Sequence, residues 1–149
     1  MIDLRENADR GDVNAQSDLG VMYASGQGVE QDHKEAVKWY QKAADQGHAG
    51  AQSNLGVKYD DGDGVLEDDV QAYAWYNISA ANGSASGKTN KRILAKEMTP
   101  DQIAEAQKLS RELVRKIEAN KAGKPKPSVL PSGRPLIDPD TGLPILKRK

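Results

Sequence analysis

The chain has 149 residues, no cysteine, two Trp, five Tyr, no Phe and a mean hydropathy of −0.74. That length suits one domain, and the missing cysteine excludes a disulfide framework and thiolate metal or redox chemistry. No stretch approaches the roughly 18 apolar residues of a membrane-spanning helix. The net charge of −1 conceals a split: residues 1–87 carry 6 Lys or Arg against 15 Asp or Glu, and residues 88–149 carry 15 against 7. An acidic body beside a basic end reads as solvated faces, or as parts that attract each other or differently charged partners.

Met1 to Gly11 reads as half a helix, a short N-terminal cap or the remainder of a longer array. Its first residues are polar and acidic, so no export signal stands there and the chain as written is expected to be cytoplasmic; a periplasmic or secreted site follows if it is a fragment. Residues 13–25 read as a full helix in which Ala15, Leu19, Met22, Tyr23 and Gly26 share one side. Gly20 permits a close helix approach, and Gly26 and Gly28 turn the chain with positive φ. Asp32 caps a second helix, with Glu35 as capping-box partner. Ala36, Trp39, Tyr40, Ala43 and Ala44 form its stripe, and Gly47 ends it.

The same unit then recurs 36 residues on without insertion. Ala15, Gln16, Leu19, Gly20, Tyr23, Gly26, Gly28 and Val29 return as Ala51, Gln52, Leu55, Gly56, Tyr59, Gly62, Gly64 and Val65. Asp32, Ala36, Trp39, Tyr40, Ala44 and Gly47 return as Asp68, Ala72, Trp75, Tyr76, Ala80 and Gly83, with Gln71 in the place of Glu35. A fixed period of about 20–50 residues marks a repeat array, and units of two helices that cannot bury their stripes alone must stack. The sequence therefore predicts an all-α fold: a partial helix over 1–11, two 36-residue repeats over 12–83, capping helices over 84–120 and a basic, proline-rich tail over 121–149.

In the third unit the pattern fades, with Lys91 and Arg92 where Leu and Gly are expected and Ile93, Leu94 and Met98 supplying apolar surface. Thr99, Pro100 and Gln102 open another helix with a capping box, along which Ile103, Ala106, Ser110, Leu113, Val114 and Ile117 share a face. Six prolines in the last 27 residues favour an extended, mobile tail. Its apolar pieces leave open docking on a groove.

The quoted residues resemble the Sel-1-like repeat, a relative of the tetratricopeptide repeat, and both units match that pattern at nearly every position. The segment from Leu94 through Lys108 and Leu109 also resembles the closing helices of bacterial members. The resemblance implies an α/α solenoid that acts as a scaffold or adaptor for other proteins, with the first helix of each repeat lining the concave face. On that face the positions opposite the core stripe are Asn14, Ser17, Val21 and Ala24, then Gly50, Ser53, Val57 and Asp60. Related chaperone-binding repeats clamp a peptide carboxylate with Lys and Asn there; only Asn14 is present, so a peptide ending in acidic residues is not the expected ligand.

No reactive constellation competes with that reading. Gly83 to Thr89 has the look of a phosphate loop, but it has three residues between its glycines where four are needed and follows a helix, not a strand. The acidic run from Asp60 to Asp69 puts Tyr59 and Val70 where a calcium loop needs carboxylates. His33 and His48 have no partner histidine. Family members have been named β-lactamases, yet the chain has neither SerxxLys nor LysThrGly. The sequon at Asn77 to Ser79 sits on the helix with the buried stripe. The expectation is a non-enzymatic module with no cofactor and no metal, binding a protein or extended peptide. The alternatives are a fragment or regulatory subunit of a larger exported repeat protein, and nucleic-acid contact through the basic tail, which lacks an aromatic for base stacking.

Overall fold

The computed structural model describes residues 2–122, with side chains from Leu4 onward. Seven helices and no strand make up these residues: α1 Ile2–Asp9, α2 Val13–Ser25, α3 His33–Ala44, α4 Ala49–Asp61, α5 Asp69–Ala81, α6 Ala85–Ala95 and α7 Pro100–Ala122. Consecutive helices from α1 to α6 pack on one another as an α/α solenoid. α7 continues to Ala122, two residues past the bound expected for the capping helices, and the proline-rich segment from 123 lies outside the described residues. None of the described helices is long and apolar enough to cross a membrane.

The recurring residues are the joints of the array. Gly20 and Gly56 lie under the rings of Tyr40 and Tyr76, where an added Cβ would sit 2.5 and 2.6 Å from the ring carbons. Gln16 and Gln52 are buried and donate from Nε2 to the carbonyls of Ala8 and Ala44, 3.1 Å each, at the end of the preceding helix. Their Oε1 atoms accept from Gln46 and Asn82 at 2.7 and 2.9 Å. Each buried amide is thus a second donor to a helix-end carbonyl that also accepts from the turn glycine three residues on, Gly11 or Gly47 at 3.0 Å.

Caps follow the same period. Asp12, His48 and Ser84 each accept from the backbone N–H three residues on, at 3.0 Å, and start α2, α4 and α6. Asp32 and Asp68 cap α3 and α5 as expected. The reciprocal box from Glu35 or Gln71 is not made, because the Asp32 and Asp68 amides already donate to the carbonyls of Tyr23 and Tyr59 at 2.9 Å. Thr99 and Gln102 do form the box that opens α7. Gly26 and Gly62 end α2 and α4 in the left-handed region.

The last two helices close the array differently. α6 packs against α5 in the manner of a further repeat, whereas α7 leaves α6 and lies along α5. It runs in the direction of α5: Ser110 meets Ala74 and Asn77, and Ile117 joins Ala44 and Ile78 in one buried cluster. Lys91 Nζ donates to Asn77 Oδ1 at 3.1 Å, and Asn77 Nδ2 donates to Ser110 Oγ at 3.2 Å, so a polar chain ties α6, α5 and α7 together.

Candidate functional site

The eight positions expected to meet a partner do not form one open face. Asn14, Val21 and Gly50 are exposed, Ala24, Val57 and Asp60 are half-buried, and Ser17 and Ser53 are 7% and 3% exposed. The two serines lie in the seams between successive first helices. Ser53 Oγ is 3.0 Å from Ser86 Oγ of α6, and the repeat equivalents of this pair, 36 residues earlier, are Ser17 and Gly50. Small residues at these places let neighbouring first helices close on each other. They hold the wall together, and the buried Ser17 and Ser53 offer a partner almost no surface.

Asp60 is also occupied. Its carboxylate accepts from the Tyr76 hydroxyl at 3.0 Å, and burial, followed by the charge of Asp60, raises the Tyr76 pKa well above the usual phenol range. What remains presentable is an aliphatic row: Val21 is 43% exposed, Val57 is half-buried against α6, and Ile93 is 55% exposed. Ile93 is the third member at the same 36-residue step. Sequence reasoning passed over it because the Leu and Gly of the third unit had been replaced, although the offset that linked Val21 to Val57 reaches it directly.

The residues weighed for chemistry have structural partners. Ser84 caps α6, so Gly83 to Thr89 is an interhelical turn. Asn77 Nδ2, the atom a glycan would need, donates into the α5–α7 contact. Lys58 is 8% exposed and lies 2.9 Å from His33 Nδ1, a link between the two repeats that no spacing rule announced. An ammonium is a donor only, so His33 Nδ1 accepts.

The two-helix units, the glycine turns and the stacked stripes define a helical repeat solenoid. The Sel1 repeat model matches residues 13–48 and 49–84, and these residues belong to the Sel1 repeat family. The chain is similar in structure to c5321, a protective antigen of uropathogenic Escherichia coli strains displaying an SLR fold, with a TM-score of 0.74 and 34% identity over 88% of this chain. It is also similar to a Sel1 repeat protein from Oxalobacter formigenes, with a TM-score of 0.57 and 38% identity over 59% of this chain. The chain spans 29% and 36% of the lengths of these two proteins. No curated protein matches it. Sel1 repeat proteins generally mediate protein–protein interaction and are generally scaffold modules without catalysis.

Proposed function

We propose that this chain is a non-catalytic interaction module that binds a protein or extended peptide along the row Val21, Val57 and Ile93. The observation that carries this reading is the row itself, one β-branched aliphatic per first helix, with its two ends the most exposed large apolar residues of the first helices. Packed helices stand roughly 8–10 Å apart, which is about one turn of polyproline II chain, three residues at about 3.1 Å each. A peptide in that conformation, which returns every third side chain to the same side, therefore matches the row when those side chains are apolar, and the small residues beside it allow close approach of its backbone.

The test is a peptide-display selection on the immobilised full chain, repeated on a variant carrying Val21→Glu, Val57→Glu and Ile93→Glu. Peptides with aliphatic residues three apart should be enriched on the parent and lost on the variant. Enrichment of the same peptides on both proteins would defeat the assignment of this face.

A further inference from the structure

Two features of the molecule are left unused by the inner row, and they match each other. The first is a groove of about 710 Å³ between the end of α5 and the middle of α7, continuous through Ile78, Ala81 and Val114 with a smaller hollow of about 160 Å³. Its floor is apolar, and Val114 is left 41% exposed there. Arg111 and Arg115 stand on its edge, and neither has an ion pair or hydrogen bond among the described residues. No carboxylate lines the larger groove.

The second feature is the turn between α4 and α5. Leu66 is 89% exposed, the most open large apolar side chain among the described residues. In sequence it stands among Asp61, Asp63, Glu67 and Asp68, where the first repeat has Ser25, Gln27, Gln31 and Asp32 around Glu30. The turn has the same glycine geometry in both repeats, with Gly26 and Gly28 matched by Gly62 and Gly64 at φ of 72–79°. The fold therefore does not call for a leucine at its tip or for the added acids.

We propose that the Leu66 turn of one chain docks in the Arg111 and Arg115 groove of a second copy. An aliphatic tip set among carboxylates fits an apolar floor edged by unpaired guanidinium groups, in shape and in charge. The occupant cannot be the turn of the same chain, because turn and groove lie at opposite ends of α5, 13 residues long and so about 20 Å apart. Residues 123–149 are a poorer match, since they carry 6 Lys or Arg against 2 Asp, the same sign as the groove. Each chain then offers one turn and one groove, so every contact joins two different surfaces and copies associate turn into groove.

Sedimentation of the full chain from about 10 µM to about 1 mM, in about 0.05 and about 0.5 M NaCl, tests this proposal. Association should rise with concentration and weaken in the higher salt. Leu66→Ser, or Arg111→Glu with Arg115→Glu, should each weaken it by about tenfold or more, and all these side chains are exposed enough for the fold to tolerate the change. Mixing the two variants is decisive. The leucine variant keeps a groove and the arginine variant keeps a turn, so the pair should form a one-to-one dimer that cannot extend. A parent that stays monomeric, association that survives both variants, or a mixture of folded variants that does not pair would each overturn the proposal.

Discussion

Helices α3 and α5 occupy the same place in consecutive repeats and share Ala36 and Ala72, Trp39 and Trp75, Tyr40 and Tyr76 on the faces that hold the array together. Their other faces part company. Lys34, Lys38 and Lys42 are exposed on α3, with Lys42 Nζ 4.5 Å over the Trp39 ring and Lys38 paired to Glu35 at 3.2 Å. The equivalents on α5 are Val70, Ala74 and Ile78, and the last two are 0% and 4% exposed because α7 lies over them. Burying a large apolar side chain contributes about 1.5–3 kcal/mol. Exchanging three lysines for apolar residues therefore converts a solvated face into a docking face. The identical positions build the stack, and the positions that changed between the two units decide what else attaches to it.

That contrast can be broken most severely by restoring the first repeat's residues to the second. Ala74→Lys with Ile78→Lys should dislodge α7 and cost about 3–5 kcal/mol, since two ammonium groups would have to be buried or the contact given up. Hydrogen exchange should show residues 100–122 losing protection before the rest. The reverse exchange, Lys38→Ala with Lys42→Ile on α3, should cost no more than about 1 kcal/mol, because it removes only an exposed ion pair with Glu35 and the contact of Lys42 with the Trp39 ring. Equal loss from both exchanges would mean that α7 does not depend on this face.

A smaller effect is expected where the two repeats agree. Gly20→Ala and Gly56→Ala each push a Cβ into a tyrosine ring, and overpacking of that kind costs about 1–3 kcal/mol. The two variants should lose similar amounts in urea denaturation, because the added Cβ would sit 2.5 and 2.6 Å from the ring carbons of Tyr40 and Tyr76.

The smallest effect concerns pH. Burial pushes the Tyr40 hydroxyl up to about 12 from an ordinary 10.0, and Tyr76 is raised further in the same direction. Between the ordinary value and the raised one the unfolded chain releases a proton that the folded chain keeps, so stability falls as pH rises through that window. Tyr40→Phe should flatten the alkaline decline of Tm with little change at neutral pH. Tyr76→Phe should flatten it more, but at the expense of leaving the Asp60 carboxylate without its donor. An unchanged alkaline profile in both variants would place the sensitivity elsewhere.

Much of this molecule was readable beforehand. The 36-residue step located α2 to α5 and the caps Asp32 and Asp68, and the capping box at Thr99 located the start of α7, whereas the caps Asp12 and His48 of α2 and α4 were not read. The partner face was read less well. The sequence marks which side of a helix is opposite the core stripe, but Ser17 and Ser53 have that placement and are buried all the same, because adjacent first helices close over them. Ile93 was within reach of the same offset that gave Val21 and Val57. The seat of α7 was also legible, as the change from Lys34, Lys38 and Lys42 to Val70, Ala74 and Ile78, but only to a comparison that asks where the repeats differ.

By itself the sequence determined the period, the two-helix unit, the glycine turns and the caps of α3, α5 and α7. These depend on φ preferences, helix propensity and side chains bonding to backbone a few residues away, all of which are local. Only the tertiary structure decided that α7 folds back along α5, that Lys58 reaches His33, and that a groove opens beside Arg111 and Arg115. Those outcomes depend on which surfaces meet after the helices have formed. A helix with an apolar face specifies that it must be covered, and the shape of its neighbours chooses the cover.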